Sequence, residues 1–264
     1  MTSPPELTPP SHSPTQDLGF AEADPTADVE GHDVRAKIAI MAKLAFGTTV
    51  PISDIPCVGI SSLTSVDFDY AEKMGCTIKL VGSAARTSKH GEYDGPLCVY
   101  VAPKMVPLNH LLASARGAGN AVAVTSSNLG TASYTGPGAG RYPTANSVVA
   151  DIMRIATKSQ PVPFPRETSI TLNHDYVSNF YVKVSVSDEL GIMKTVGEMA
   201  EKNNVSINSV LQNNIVDKES VDFVVTTDHA LLSEVEAMCQ DLENCSFVRK
   251  KPFIMPILST EDDE

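Results

Sequence analysis

Hydrophobic residues follow two periodicities along this chain and predict alternating helices and strands. Residues 33–46 (DVRAKIAIMAKLAF) are dense in good helix formers and end at Gly47, so we expect a mostly buried helix there. Four β-rich runs bounded by turn residues follow, and they predict a sheet that is antiparallel or mixed. These runs lie at 76–84, 97–106, 120–127 and 130–136.

Two further segments of the first half have helical character. The run SVDFDYAEKMG (65–75) is short and amphipathic and leads into the first predicted strand. The run TANSVVADIMRIAT predicts a helix over 144–157, with Pro143 and the Thr144 hydroxyl suited to its start. Strands followed by a helix indicate an α+β layer.

The last hundred residues carry a more regular pattern. Strand-like alternation and helical spacing succeed one another in the order β-α-β-β-α-β, which is typical of the ferredoxin-like fold. The predicted elements are a strand at 180–188, a helix at 191–204, strands at 205–212 and 221–228, a helix at 229–242 and a strand within 245–257.

A Pro-rich seam, KSQPVPFPRE (158–167), separates the two patterns. We therefore predict an α+β protein in which a mixed-sheet domain precedes a ferredoxin-like βαββαβ domain. The expected division is a disordered Pro/Ser/Thr leader at 1–16, a first domain at 17–167, a linker at 168–179 and a second domain at 180–260.

Composition excludes several classes of protein. Of 264 residues, 42% are hydrophobic and 20% charged, as in ordinary globular proteins. The net charge of −12 is the wrong sign for gripping phosphate backbones, so no nucleic-acid partner is expected. No stretch approaches the roughly 20 apolar residues of a membrane span, so we expect a soluble protein without a membrane partner.

Cysteines and histidines give no sign of a metal site. The five cysteines are odd in number, widely spaced and never in a CxxC pair, so they predict neither a disulfide framework nor a zinc site. The six histidines show no metal-ligand spacing. A reducing compartment, the cytoplasm, is the expected location, and no bound metal is expected.

The segment LGFAEADPTADVEGHDVRAKIAIMAK (18–43) gathers acids upstream of the first helix, with Lys37 one turn inside it. One interpretation is structural: acids suit a helix N-terminus, and Asp33 and Lys37 form an i,i+4 surface pair. The other is chemical: burial among apolar neighbours would lower the pKa of Lys37 and make it a useful proton donor. The sequence leaves both open.

A glycine-rich loop, GPGAG (136–140), precedes the second helix. Glycines commonly do no more than turn a corner, and this spacing is not the GxGxxG of a dinucleotide site. The alternative is that Gly138 and Gly140 let backbone come close to a cofactor.

Four ordered motifs between 17 and 157 resemble the homoserine dehydrogenase family: ADPTADVEGHDVRAKIAI, GCTIKLVGSA, the GxxNAVxV run at 117–124, and GPGAGRYPTANSVVADI. The resemblance implies an NAD(P)-dependent oxidoreductase that interconverts L-homoserine and L-aspartate 4-semialdehyde, on the route to threonine, methionine and isoleucine.

The resemblance also implies roles for single residues. Lys37 would relay the proton at the carbinol oxygen, as a cationic acid should when hydride reduction creates an alkoxide. Glu22 and Asp33 would hold the ammonium or hydroxyl end of the amino acid, with Asp28 in support. These four residues are the expected catalytic and substrate-binding set.

The same resemblance assigns Gly19, Gly138 and Gly140 to the nicotinamide half of the cofactor, NADP or NAD. Members of the family begin with a Rossmann domain, and here the Pro/Ser leader stands in its place, so we expect a truncated member. Since GAGNAV (117–122) lacks a third glycine and precedes a strand, it does not replace the phosphate cradle.

The C-terminal unit resembles the ACT regulatory domain, with Asp188-Glu189-Leu190-Gly191 in place of the usual D-x-P-G turn. The resemblance implies an amino-acid effector near Asp188, Gly191 and Asn208, and a homodimer or higher homo-oligomer. Alternatively, Gly191 only permits the turn and the sheet edge only dimerises.

Three hypotheses for function stay open from the sequence. The first is the dehydrogenase. The second is a non-catalytic protein that senses amino acids or associates with other subunits through the dimer sheet and the ACT domain. The third is an enzyme whose nucleotide-binding domain is a separate polypeptide.

Overall fold

The computed structural model describes residues 24–86, 95–160, 162–213 and 220–258. Its helices are α1 (Thr26–Val29), α2 (His32–Phe46), α3 (Ser65–Lys73), α4 (Arg141–Ala156), α5 (Ile192–Lys202) and α6 (Leu232–Glu243). Its strands are β1 (Cys76–Arg86), β2 (Leu97–Pro107), β3 (Gly119–Ser126), β4 (Gly130–Pro137), β5 (Val177–Val186), β6 (Ile207–Gln212), β7 (Val221–Thr227), β8 (Ala230–Leu231) and β9 (Phe253–Ile257).

The second half has the strand order expected of a ferredoxin-like unit. The four long strands lie in the order β9-β5-β7-β6 and are antiparallel throughout. Helices α5 and α6 cover one face and bury a large apolar cluster that includes Phe180, Phe223 and Met238. The short β8 pairs with the start of β5, which is why α6 begins three residues later than the predicted 229.

One sheet continues through both halves of the chain, which the sequence did not predict. Strands β1 and β2 pair antiparallel, and β2 meets β9 in parallel at Met105 and Ile257. The backbone N–H of Leu258 also donates to the carbonyl of Met105 at 2.8 Å. The last strand therefore belongs to the ferredoxin-like unit and joins it to the first half.

The prediction of a single sheet in the first half is wrong, because β3 and β4 lie outside the main sheet. They pair with each other over eight residues and form a separate two-stranded ribbon. Every residue of β3 and β4 is half-buried or exposed. The ribbon therefore has no buried face with which to pack against the main sheet.

Helices α2 and α3 lie on the same face of β1. Ile78 packs with the buried Tyr70 of α3, and Gly82, four residues on, packs against Ile38 of α2. Residues of equal parity on a strand point to one face. Helix α3 also packs on the ferredoxin-like strands, on the face opposite α5 and α6, through Tyr181 and Val224.

The predicted span of α2 is confirmed within one residue, but the helix is less buried than predicted. Only Ile38 and Ala42 are buried, whereas Ile40 is 57% exposed and Leu44 is 54% exposed. Only one stripe of a surface helix needs to face the core.

Helix α4 begins before the predicted start. Gly140 lies just ahead of Arg141, the first helical residue, so Pro143 falls in the first turn, where a missing N–H costs nothing. The expectation that Thr144 starts the helix is wrong, because its N–H already donates to the carbonyl of Gly140.

The segment predicted as a linker (168–179) is hydrogen-bonded to the first unit. The N–H of Thr168 donates to Gly47, and that of Asn173 donates to Leu97, at 3.1 and 3.0 Å. Strand β5 already begins at Val177. None of the helices among the described residues has the length and apolarity of a membrane span.

Candidate active site

A cavity of about 450 Å³ lies between the start of α2 and the loops that flank the β3–β4 ribbon. Acidic residues and one lysine line one wall, and small residues with one amide line the other. The lining residues are Asp24, Ala27, Asp28, Asp33 and Lys37, and opposite them Gly117, Ala118, Asn120, Gly138 and Ala139.

The acidic wall is built by the turn that leads into α1 and by a tight turn between α1 and α2. Asp24 accepts hydrogen bonds from the N–H of Thr26 at 3.0 Å and from its hydroxyl at 2.6 Å. These bonds lower the pKa of the Asp24 carboxyl. Gly31 then adopts φ +77°, a left-handed conformation that few other residues tolerate, and α2 begins at the next residue.

The segment at residues 59–60 packs against the end of α1. The N–H of Ile60 donates to the carbonyl of Val29 at 2.8 Å, and a Cβ on Gly59 would lie 2.5 Å from that same oxygen. The backbone therefore approaches α1 as closely as glycine allows. This contact fixes the end of α1 and the position of Asp28 beside the cavity.

Lys37 and Asp33 form an ion pair, with Nζ 2.5 Å from Oδ2. Their side chains are 52% and 45% exposed, so the two residues form the i,i+4 pair on a helix surface. The expectation of a lysine buried among apolar neighbours is wrong, because Lys37 leaves the helix on the side that faces the cavity. A paired, half-exposed ammonium is still within reach of a bound molecule.

The opposite wall rests on a close contact between Asn120 and Gly138. The N–H of Gly138 donates to the carbonyl of Ala118 at 2.8 Å, and a Cβ on Gly138 would lie 2.1 Å from Nδ2 of Asn120. Any side chain at Gly138 would therefore require the Asn120 side chain to move. Gly140, by contrast, does not line the cavity; its φ of +111° lets the chain enter α4.

The structure thus brings together Asp28, Asp33, Lys37 and Gly138 from the predicted set. Glu22 and Gly19 lie outside the described residues. Sequence reasoning missed Asn120, although it lies in a motif that carried the resemblance. The sequence feature that could have identified Asn120 is an amide at the start of a predicted strand that directly follows the glycines at 117 and 119.

The cavity leaves room for a flat group beside its small residues, but the described residues around it form no cradle for the phosphates of a dinucleotide. It offers small residues and glycine backbone on one wall. The described part of the chain carries no GxGxxG loop leading into a helix, since 117–122 enters β3. Within the same residues, no three potential ligands gather as a metal site would need.

A second cavity, of about 210 Å³, lies where β5 turns into α5. Asp188 and Gly191, the candidates for an effector site, line it, and Gly191 adopts φ +92° just before the helix. Asn208 does not reach it: its amide donates to Asp228 at 3.1 Å, at the other end of β6. Gln212, at the near end of β6, lines the cavity in its place.

The chain is similar to proteins of one family along nearly its whole length. The sequence model of the homoserine dehydrogenase family matches residues 13–153. The chain is 34% identical to the homoserine dehydrogenase of Neisseria gonorrhoeae over 94% of its own length and 58% of that protein's. It is 38% identical to that of Mycobacterium leprae, over 84% and 53% of the two chains.

A crystal structure gives the same result. The homoserine dehydrogenase of Thiobacillus denitrificans superposes with a TM-score of 0.80 and 30% identity, over 94% of this chain and 57% of that one. The similarity therefore extends through both halves of the chain. The chain spans about half the length of the relatives it matches.

Proposed function

Because the chain belongs to the homoserine dehydrogenase family, we propose that it carries the substrate-binding half of an NAD(P)-dependent oxidoreductase. The reaction would interconvert L-homoserine and L-aspartate 4-semialdehyde, a step toward threonine, methionine and isoleucine. One observation supports this most directly: Asp28, Asp33 and Lys37 face the glycine loop across a single cavity.

The charges of the cavity suit an amino-acid substrate. Three carboxylates line it with one ammonium, and that ammonium is already paired with Asp33. The surplus negative charge complements the ammonium group of homoserine. Asp28 and Asp33, with Glu22, would bind that end or the hydroxyl.

Lys37 would serve as the proton donor and acceptor. Reduction of an aldehyde produces an alkoxide, and a cationic acid at that oxygen stabilises the developing charge. Asp33 lies beside Nζ and would keep the side chain oriented. Lys37 would therefore exchange a proton with the substrate oxygen while Asp33 positions it.

The nicotinamide end of NADP or NAD would lie against Gly138, with Gly19 and Gly140 as further candidates. When bound, the cofactor would accept or supply the hydride. Gly138 adds no side chain to this wall, and its neighbours Ala118 and Ala139 are small, so a flat ring has room to lie beside them.

The ferredoxin-like unit is proposed to be an ACT domain that binds an amino-acid effector. Asp188 and Gly191 at the second cavity support this, because they combine a carboxylate with the free N–H groups of a helix start. Gln212 replaces Asn208 as the candidate on β6.

Oligomerisation is proposed from helix α4. It has no buried residue among those described, and it exposes apolar side chains along its length. An apolar patch of this kind marks an interaction surface. A homodimer or higher homo-oligomer would cover part of it. The exposed residues are Val148, Val149, Ile152, Met153 and Ile155.

The test uses the purified chain. Calorimetry should detect binding of L-homoserine, and NAD(P)H formation at alkaline pH should be lost in Lys37→Ala. Lys202→Ala is the matched control, since it removes a similarly exposed lysine from an ion pair at the end of α5. Homoserine binding without turnover would favour the sensing or subunit-association hypothesis, and absence of binding in a folded chain would reject the proposed site.

A further inference from the structure

The two walls of the first cavity differ in charge. Asp24, Asp28 and Asp33 give one wall three carboxylates, and the ammonium of Lys37 on that wall is already paired with Asp33. The opposite wall carries no charged side chain among its described residues. L-Homoserine carries one charge of each sign, so the acidic wall attracts its ammonium group and repels its α-carboxylate. The α-carboxylate should therefore lie toward the opposite wall.

Asn120 supplies the polar side chain of that opposite wall. The other described residues that line this wall are Gly117, Ala118, Gly138 and Ala139, which have no polar side chain. An asparagine amide has two N–H donors, and a carboxylate accepts such hydrogen bonds. The backbone N–H of Gly138 already donates to the carbonyl of Ala118 at 2.8 Å. The Asn120 side chain is exposed, so a molecule in the cavity can reach its donors.

The ribbon holds the Asn120 amide at this wall. Asn120 pairs with Gly136 across β3 and β4, and its side chain lies against Gly138. A Cβ on Gly138 would lie 2.1 Å from Nδ2, 2.5 Å from Cγ and 2.8 Å from Oδ1 of Asn120. All three atoms of the amide group therefore occupy the space that a side chain at 138 would take. The backbone of Gly138 supports the amide on one side.

We propose that Asn120 binds the α-carboxylate of the substrate and fixes the direction in which the amino acid lies across the cavity. The substrate ammonium then lies at the acidic wall, and the substrate hydroxyl lies near Lys37. The inference rests on the proposed function, because it requires homoserine to bind in this cavity. A ligand with an uncharged group in place of the carboxylate loses a charge-assisted hydrogen bond at Asn120.

The experiment compares two ligands by calorimetry on the whole chain. They are L-homoserine and L-homoserine amide, in which a carboxamide replaces the α-carboxylate. Asn120→Asp keeps the shape of the side chain and replaces its two donors with a negative charge. It should weaken L-homoserine by about tenfold or more, as loss of a hydrogen bond to a charged group does. It should not weaken L-homoserine amide, because the carboxamide N–H groups can donate to the new carboxylate.

Asn146→Asp is the matched control, since it adds the same charge at an exposed asparagine of α4 that does not line the cavity. It should leave both affinities unchanged, and circular dichroism checks that both variants are folded. Equal effects of Asn120→Asp on the two ligands, or no effect on either, would overturn the role of Asn120. Failure of the unaltered chain to bind L-homoserine would instead overturn the proposed function, and this inference with it.

Discussion

Lys37 Nζ lies 2.5 Å from Asp33 Oδ2, one turn apart on α2, and both side chains are about half exposed at the first cavity. Exposed pairs of this kind contribute about 0.3 to 0.5 kcal/mol to stability. The pair is therefore of little importance to the fold, and its effect should appear in binding.

Asp33→Asn should accordingly weaken L-homoserine binding and leave stability almost unchanged. Loss of one charged hydrogen bond costs about 1.5 to 3 kcal/mol, or roughly ten- to 150-fold in affinity. Calorimetry measures the affinity, and urea unfolding measures the stability.

Glu198→Gln removes the same charge from another i,i+4 pair, with Lys194 on α5, and should change neither quantity. Equal homoserine affinity in Asp33→Asn and the unaltered chain would remove Asp33 from the substrate site.

Asp67→Asn should destabilise the chain by about 3 to 5 kcal/mol, because it leaves the buried Lys183 without its counter-ion. Burial acts to raise the pKa of the Asp67 carboxyl, but hydrogen bonds from Lys183, Thr64 and Tyr181 outweigh it and lower the pKa. The resulting stability is present above the ordinary carboxyl pKa, about 3.9, and is lost as the pH falls through the lower folded value.

Urea unfolding at a series of pH values from neutral to acid measures this effect. The unaltered chain should lose stability below about pH 4, and Asp67→Asn should lose less of it over that range. Asp151→Asn, from an exposed pair with Arg154, should match the unaltered chain. Parallel pH curves for Asp67→Asn and the unaltered chain would contradict the lowered pKa.

Gly138→Ala should weaken homoserine binding and turnover together, because the new methyl group would displace Asn120 from the cavity wall. Gly136→Ala is the control, since a Cβ there meets no atom within 4 Å. Adding Asn120→Ala to Gly138→Ala should recover the fold of the loop, as circular dichroism and the thermal midpoint would report.

Unchanged binding in Gly138→Ala would mean that Asn120 moves aside without consequence. Recovery of the thermal midpoint without recovery of binding would show that the Asn120 amide itself contributes to the site.

Cys245 should react with iodoacetamide before the other four cysteines in the folded chain at pH 8. Burial raises the pKa of Cys98 to about 11 and that of Cys239 to about 12, so almost no thiolate forms at either. Burial also raises the pKa of Cys57 and Cys76. Peptide mass spectrometry gives the order of labelling.

In urea, all five thiols should react at similar rates, which provides the internal control. Early labelling of Cys98 or Cys239 in the folded chain would mean that the sheet or α6 opens more readily than its packing indicates.

Local patterns predicted most of the individual elements. The alternation in 180–188 and the apolar spacing in 191–204 are sufficient to place β5 and α5, because one face of each packs in the same core. The helix at 32–46 follows from its residue types. The candidate site could be predicted because its acids and lysine lie within fifteen residues of one another.

Contacts between distant segments could not be predicted in this way. Strands β2 and β9 pair through Met105 and Ile257 alone, and a single pair produces no periodic pattern in the sequence. The burial of Asp67 against Lys183 joins segments that each look like ordinary surface sequence. The exposure of Lys37 depends on which side of α2 faces β1. The sequence does not reveal that side, because apolar residues lie on several sides of the helix.

The position of β9 has a consequence for the order in which the protein forms. A ribosome makes β9 after every other strand of the sheet, yet β9 lies between β2 and β5. Until it is made, the edge of β5 that pairs with β9 is open, and unpaired edges promote aggregation. The corresponding edge of β2 is open only near Met105, because residues 56–58 and 171–173 already bond to Val101 and Leu97. The two parts of the sheet can therefore be joined only after residues 253–257 have been synthesised.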